Sequence, residues 1–87
     1  MARYRILIKA SAAREIERIP NRRERQRIVR RIRGLADDPR PRGCEKLSGR
    51  NRYRVRQGRY RIVYSVEDER LVVHVVKMGH RSDVYMK

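Results

Sequence analysis

Residues 52–66 alternate arginine or another polar side chain with an apolar one, and this alternation limits the possible folds more than any other feature. Successive side chains of a β-strand point to opposite faces, so a period of two predicts strands with one buried face. Gln57-Gly58 predicts a tight turn between two neighbouring strands, and residues 67–69 predict another. The predicted strands form a meander at 52–57, 59–66 and 70–78.

The first half of the chain predicts one strand and two helices. Residues 3–9 alternate as a strand, Ser11 is the expected N-cap of a first helix, and Pro20 ends that helix. Asn21 is the expected N-cap of a second helix, in a capping-box relation with Glu24. The core-facing stripe of the second helix consists of Ile28, Val29, Ile32, Leu35 and Ala36.

Residues 37–51 join the second helix to the meander and are rich in proline, glycine and charge, which predicts a loop. A loop of this length in a small domain is often functional. The sequence has no repeats and no interdomain linker, so residues 1–87 are predicted to form a single domain. The predicted fold class is α+β, in the order βααβββ, with two N-terminal helices packed on a small, mostly antiparallel sheet.

The net charge of +15 in 87 residues predicts a polyanionic partner, most simply nucleic acid, and disfavours self-association. A chain of this length has a thin core, so a deep enclosed pocket is not expected. One cysteine and two histidines make a disulfide and a metal site unexpected. The sequence contains no signal peptide and no transmembrane run, which predicts a cytoplasmic protein without a membrane partner.

The two-residue period of the predicted strands also places three arginines on one face of the sheet. If Tyr53 and Val55 face the core, then Arg54, Arg56 and Arg61 share the opposite face across a short turn. Like charges at such positions repel each other unless an anion lies between them. The three side chains therefore form either a solvated basic face or an anion-binding site.

The same part of the chain resembles a known family. Lys46-Leu47 is followed by Tyr53-Arg54-Val55-Arg56, by residues 58–64 and by residues 79–85, which include Gly79-His80-Arg81. The order of these motifs is similar to that of the RelE/ParE superfamily of bacterial toxins, and resembles most its RelE branch of ribosome-dependent mRNA endonucleases. The resemblance implies metal-independent cleavage of mRNA in the ribosomal A site, without a cofactor, by attack of the ribose 2′-hydroxyl on the adjacent phosphate.

The resemblance also implies roles for individual residues. The positions that line the mRNA site in the RelE branch match Arg54, Arg56, Arg61, Arg81 and Tyr85, which become the candidate catalytic residues. Permanently charged arginines suit the negative oxygens of the transition state. Tyr85 is the candidate base for the 2′-hydroxyl, because the four arginines favour its phenolate. The best-known relatives carry lysine where this chain has Arg54 and Arg56, and arginine does not release a proton, so both act here only as charge.

Further basic residues are candidates for nucleic-acid binding. His80 directly precedes Arg81. It is either a second candidate for the catalytic base, in contact with the RNA, or a solvent-exposed neighbour of the site. Lys46 either contacts RNA or solvates its loop. The second helix presents a basic face, with Arg22, Arg23 and Arg30 among its residues, that either contacts ribosomal RNA phosphates or is merely solvated.

Three functions are compatible with these features. The first is the toxin of a type II toxin–antitoxin system that cleaves mRNA on the ribosome, and the second is a ParE-like toxin that inhibits DNA gyrase by binding, without nuclease activity. The third is a plain nucleic-acid-binding domain, which the lack of Phe and Trp disfavours. The five candidate catalytic residues favour the first, since gyrase-directed relatives typically lack the full set. The resemblance implies a cognate antitoxin, the ribosome and mRNA as partners, and a toxin that is monomeric alone and hetero-oligomeric with its antitoxin.

Overall fold

The computed structural model describes residues 3–48 and 51–80, which form two helices and a five-stranded sheet. The elements are β1 (Arg5–Ile8), α1 (Ala10–Glu17), α2 (Arg22–Gly34), β2 (Glu45–Lys46), β3 (Arg52–Gln57), β4 (Tyr60–Glu67) and β5 (Val72–His80). The strand order is β1-β5-β4-β3-β2, with β1 parallel to β5 and all other pairs antiparallel. The predicted α+β class, with two N-terminal helices on a mostly antiparallel sheet, is confirmed.

The core lies between the helices and one face of the sheet. Ile28, Ile32 and Leu35 of α2 are fully buried, whereas Val29 at the margin of the predicted stripe is only partly buried. The sheet contributes the apolar side chains that the alternation assigned to the inner face, namely Tyr53, Val55, Ile62, Tyr64 and Val66, together with Val73, Val75 and Met78 of β5.

The ends of the helices agree with the sequence in part. Asn21 caps α2 as predicted, since its side chain accepts a hydrogen bond from the Glu24 backbone N–H at 3.0 Å. The prediction for Ser11 is wrong: α1 begins at Ala10, and its N-cap residue is Lys9. The Lys9 N–H donates to the Val75 carbonyl at 2.9 Å, so pairing with β5 holds the chain extended up to Lys9 and the helix starts directly after it.

The segment predicted as one loop, 37–51, contains the short strand β2. Glu45 and Lys46 pair with Arg54 and Tyr53, which adds a fifth strand at the edge of the sheet. Two residues are too few to show a strand period in the sequence, so only the hydrogen bonds to β3 define this strand.

A polar network joins the start of this segment to the sheet. The Arg40 guanidinium donates to the Tyr53 hydroxyl at 2.9 Å and forms two hydrogen bonds with the Asp68 carboxylate, at 2.8 and 3.1 Å. Tyr4 of the N-terminal segment donates to the same carboxylate at 2.6 Å. In addition, the buried Tyr64 hydroxyl donates to the Pro39 carbonyl at 2.7 Å. These contacts fix residues 39–40, and through them the position of β2.

This network predicts a pH-dependent stability. Hydrogen bonds from Arg40 and Tyr4 lower the pKa of Asp68 to about 2, whereas an unfolded aspartate titrates at about 4. The stabilisation by Asp68 is therefore complete above pH 4 and is lost as the pH falls toward 2. We expect Asp68→Asn to lower the Tm at pH 7 and to flatten its decline between pH 4 and 2, as measured by calorimetry.

Asp37→Asn provides the matched control, because Asp37 makes only an exposed ion pair with Arg3, at 3.4 Å. The control should leave both the Tm and its pH dependence close to those of the wild type. If Asp68→Asn melts like Asp37→Asn at every pH, the network does not hold the loop in place.

None of the helices in the described ranges is long and apolar enough to cross a membrane.

Candidate anion-binding site

The hairpin of β3 and β4 brings the predicted arginines together. The turn consists of Gly58, which has a φ of 61°, and Arg59, so that Arg56 and Arg61 are direct cross-strand partners. Arg54 lies two residues before Arg56 and pairs with Val63. Because side chains alternate between the faces of a strand, the register confirms that the three arginines share one face of the sheet.

Arg61 differs from the other two in its burial. Its relative exposure is 4%, and it is the one charged side chain that is buried among the described residues, whereas Arg54 is half-buried and Arg56 exposed. The alternation did not indicate that this face is covered, and Val63 on the same face is buried as well. Burial leaves a long side chain few rotamers, so Arg61 presents its charge in a fixed position.

Glu45 shows where the positive charge is concentrated. Its carboxylate forms an ion pair with the Arg54 guanidinium, across the β2–β3 pairing. The hydrogen bond and charge of Arg54 hold the pKa of the Glu45 carboxyl below its usual range, and the charges of Arg56 and Arg61 lower it further. One anionic group thus experiences all three arginines at once. Sequence reasoning missed Glu45, because its place beside Arg54 depends on the two-residue strand β2.

A cavity of about 280 Å³ lies at this position. Its lining includes Arg54, Arg56, Glu45 and Gly43, and also Arg31, which projects from α2. The Arg54 side chain is largely buried, with an exposure of 15%, whereas the Glu45 side chain is 57% exposed. The cavity is large enough for a tetrahedral oxyanion, and its guanidinium groups are suited to bind phosphate oxygens in pairs.

The other candidate residues lie in different places. Lys46 is exposed, and its side chain alternates with that of Glu45, so it lies on the opposite face of the sheet. Arg22, Arg23 and Arg30 are exposed on α2, and Arg30 lines a cavity together with Gln57 at the end of β3. Arg81 and Tyr85 lie outside the described residues.

His80 occupies the helix-facing side of the sheet. It pairs with Tyr60, and the two rings meet edge to face with centroids 5.9 Å apart. Arg61 pairs instead with Gly79. The His80 side chain therefore points away from the face of the sheet that carries Arg54, Arg56 and Arg61, here called the arginine face. Its predicted role in binding RNA stays a prediction.

Within residues 3–48 and 51–80, no three His, Cys, Asp or Glu side chains come together in an arrangement that could hold a metal ion. The positive charge of the described site comes from guanidinium groups alone.

Comparison with solved structures shows that the fold is shared. A chain of the archaeal RelE–RelB complex from Pyrococcus horikoshii OT3 is 28% identical, with a TM-score of 0.81, over 90% of this chain and 94% of the other. A chain of the toxin–antitoxin complex RelBE2 from Mycobacterium tuberculosis is 27% identical, with a TM-score of 0.79, over 95% and 97%. A double arginine-to-alanine mutant of the E. coli toxin RelE in the free state is 29% identical, with a TM-score of 0.75, over 98% and 92%.

Comparison of the sequence with family models agrees with the structural matches. No curated protein matches the chain significantly. The model of the ParE toxin family, "ParE toxin of type II toxin-antitoxin system, parDE", matches residues 6–85. The family model covers nearly the whole chain and the similar folds are RelE toxins, so this protein belongs to the ParE toxin family, within the RelE/ParE superfamily of type II toxins, and has the fold of its RelE branch.

Proposed function

We propose that this toxin is a ribosome-dependent mRNA endoribonuclease that cleaves by attack of the ribose 2′-hydroxyl on the adjacent phosphate. The observation that carries the proposal is the placement of Arg54, Arg56 and Arg61 on one face of the hairpin, where Arg54 already forms an ion pair with an anionic group, Glu45. A phosphodiester is the corresponding anion in a nucleic acid. The similarity to solved RelE toxins supports the same reaction class.

In this proposal each arginine stabilises charge rather than transferring a proton. The 2′-oxygen forms a bond to phosphorus while the bond from phosphorus to the 5′-oxygen breaks, which leaves a cyclic phosphate and a 5′-hydroxyl. Negative charge gathers on the phosphorane oxygens during this step, and fixed cations stabilise that charge most when they need no reorganisation. Buried Arg61 meets this condition best, while Arg54 and Arg56 hold the phosphate from the same face. The guanidinium groups supply the positive charge that metal ions supply in other nucleases, so the proposed reaction needs no metal.

The substrate must displace Glu45 from Arg54. The Glu45 carboxylate and the phosphate compete for the same guanidinium, and the exposed Glu45 side chain can turn toward solvent. Proton transfer from the 2′-hydroxyl is assigned to Tyr85, with His80 as the alternative, and Arg81 is assigned to the phosphate.

The partners follow from the same proposal. Several of the solved structures with this fold are complexes of a RelE toxin with its antitoxin RelB. We therefore infer a cognate antitoxin that keeps this toxin inactive, and ribosomes and mRNA as targets in the cytoplasm. Exposed Arg22, Arg23 and Arg30 on α2 are suited to phosphates of ribosomal RNA.

One observation favours a second function. The matching family model is that of ParE toxins, and the gyrase-directed alternative considered from the sequence shares this fold. Inhibition of gyrase by binding does not require a phosphate site on the sheet, so the arginine face argues for the nuclease.

The two functions predict different outcomes when this chain alone is expressed. We expect growth arrest, with ribosome-bound messages cut inside their reading frames, as detected by 5′-end mapping of mRNA in a translating extract with and without the protein. The matched control is the double variant Arg54→Gln/Arg56→Gln, which should cut poorly while keeping the fold. Intact messages together with a loss of DNA supercoiling activity would establish the gyrase function instead.

A further inference from the structure

Arg31 is placed differently from most of the other arginines of α2. It follows Ile28 by three positions and precedes Leu35 by four, so it flanks the core-facing stripe rather than the solvent side. It is half-buried, whereas Arg27, Arg30 and Arg33 are exposed. The structure therefore separates Arg31 from the exposed basic face of the helix.

The guanidinium of Arg31 contains an unused donor. Its Nε atom is shielded from solvent and forms no hydrogen bond with any part of the chain that the structure describes. A buried donor on a charged group destabilises the folded protein when it has no acceptor. Such groups therefore normally donate a hydrogen bond, either within the protein or to a bound ligand. The Nε–H of Arg31 is therefore suited to an anion that enters from outside.

Two cavities meet at this side chain. Arg54 and Arg56 line the cavity of about 280 Å³. Arg27, Arg30 and Gln57 line a second cavity of about 440 Å³. Arg31 lines both of them. The strand β2 pairs with Tyr53 and Arg54, and beyond this pairing β3 contributes Arg56 to one cavity and Gln57 to the other. The two cavities together are called the groove. The result is a row of guanidinium groups that runs from the arginine face of the sheet to α2.

We propose that Arg31 forms a second phosphate subsite, which binds the phosphodiester of RNA next to the one held by Arg54 and Arg56. The subsite rests on the proposed function, because it takes a strand of RNA as the ligand. An RNA strand carries one negative charge per nucleotide, so it is complementary to a row of cations. The planar guanidinium of Arg31, with Nε–H as one donor, is suited to bind a phosphate through two hydrogen bonds. The groove thereby sets the direction in which the strand leaves the reactive phosphate.

The first test observes the Arg31 Nε–H itself. The full chain is titrated with a 2′-O-methyl trinucleotide, which lacks the nucleophile and cannot be cleaved, while arginine Nε–H signals are recorded by ¹H–¹⁵N NMR. We expect the Arg31 signal to shift and its exchange with water to slow as the probe binds. An Arg31 signal that stays in place at saturation refutes the subsite.

The second test uses variants and salt. Arg31→Met preserves the stem and removes the donor, and should weaken binding of the trinucleotide about tenfold. It should also reduce the slope of log K against log salt by about 0.7, as for one phosphate contact with a single strand. Arg31→Lys keeps the charge without the Nε–H, so it should restore the salt slope but not the full affinity. Arg14→Met is the control, because Arg14 is an exposed arginine on α1 that lines neither cavity.

The outcomes separate the subsite from the nuclease function. Equal binding by Arg31→Met and Arg14→Met, with equal salt slopes, overturns the subsite and leaves the proposed cleavage untouched. A response of Arg31 to the trinucleotide, in a protein that leaves mRNA on ribosomes intact, supports the subsite and rejects the nuclease. A response to acidic peptides but not to the trinucleotide shows that the groove binds protein, which also overturns the proposal.

Discussion

Replacing Arg61 with alanine is expected to lower the rate of mRNA cleavage by roughly 10²–10³-fold, the usual effect of removing one donor that stabilises an oxyanion. Arg61 lies opposite Arg56 on the sheet and is buried, so its charge is fixed before the substrate arrives. The measurement is single-turnover cleavage of mRNA on programmed ribosomes. Arg61→Ala should lower the maximal rate rather than weaken substrate binding, because Arg61 offsets a negative charge that develops only in the transition state.

Two comparisons make this prediction specific. Arg30→Ala on the exposed side of α2 should mainly weaken association with the ribosome and reduce its salt dependence, with a near-normal maximal rate. Arg61→Lys retains a positive charge and should recover part of the rate, and melting curves verify that both Arg61 variants fold. Equal effects of Arg61→Ala and Arg30→Ala on the maximal rate would mean that the arginine face belongs to a general basic surface.

Tyr85→Phe is expected to lose most of the cleavage rate together with its dependence on pH. A free tyrosine has a pKa of about 10. The proposed role of Tyr85 places it beside arginines, which favour the phenolate, so the wild-type rate should climb as the pH rises above neutrality. Phenylalanine keeps the ring and any stacking on a base but cannot accept the proton. The measurement is a pH–rate profile of single-turnover cleavage on programmed ribosomes.

His80→Gln is the matched variant for this test. The His80 side chain lies on the helix-facing side of the sheet, against the Tyr60 ring, so its removal should leave the rate and its pH dependence largely intact. A near-normal Tyr85→Phe beside a strongly impaired His80→Gln would assign the base to the histidine.

Much of the fold could be predicted from periodicity. The alternation in residues 52–66 correctly predicted β3 and β4 and the side chains with which they face the helices, and Asn21 correctly predicted the start of α2. The predictions failed where contacts between distant segments decide the structure. Pairing of Lys9 with Val75 sets the start of α1, and β2 exists only through its hydrogen bonds to β3.

The candidate site could be predicted in outline. A period of two places Arg54, Arg56 and Arg61 on one face whatever the rest of the fold, and the register confirms this placement. Burial of Arg61 was not predictable, because alternation distinguishes two faces but does not show what covers each of them. Glu45 and Arg31 reach the site from other elements, and no local pattern connects them to the β3–β4 hairpin.

The parallel pairing of β1 with β5 has a consequence for how the toxin is made. The hydrogen bond between Tyr4 and Asp68 joins positions 64 residues apart, and β1 has no partner strand until β5 has left the ribosome. Contacts between such distant positions also slow folding. The nascent chain therefore emerges with its first strand unpaired and its sheet incomplete, and it acquires a finished structure only late in synthesis. A delay of this kind separates the translation of the toxin from the completion of its folded structure, so a newly made molecule passes through an interval in which its sheet is not yet assembled.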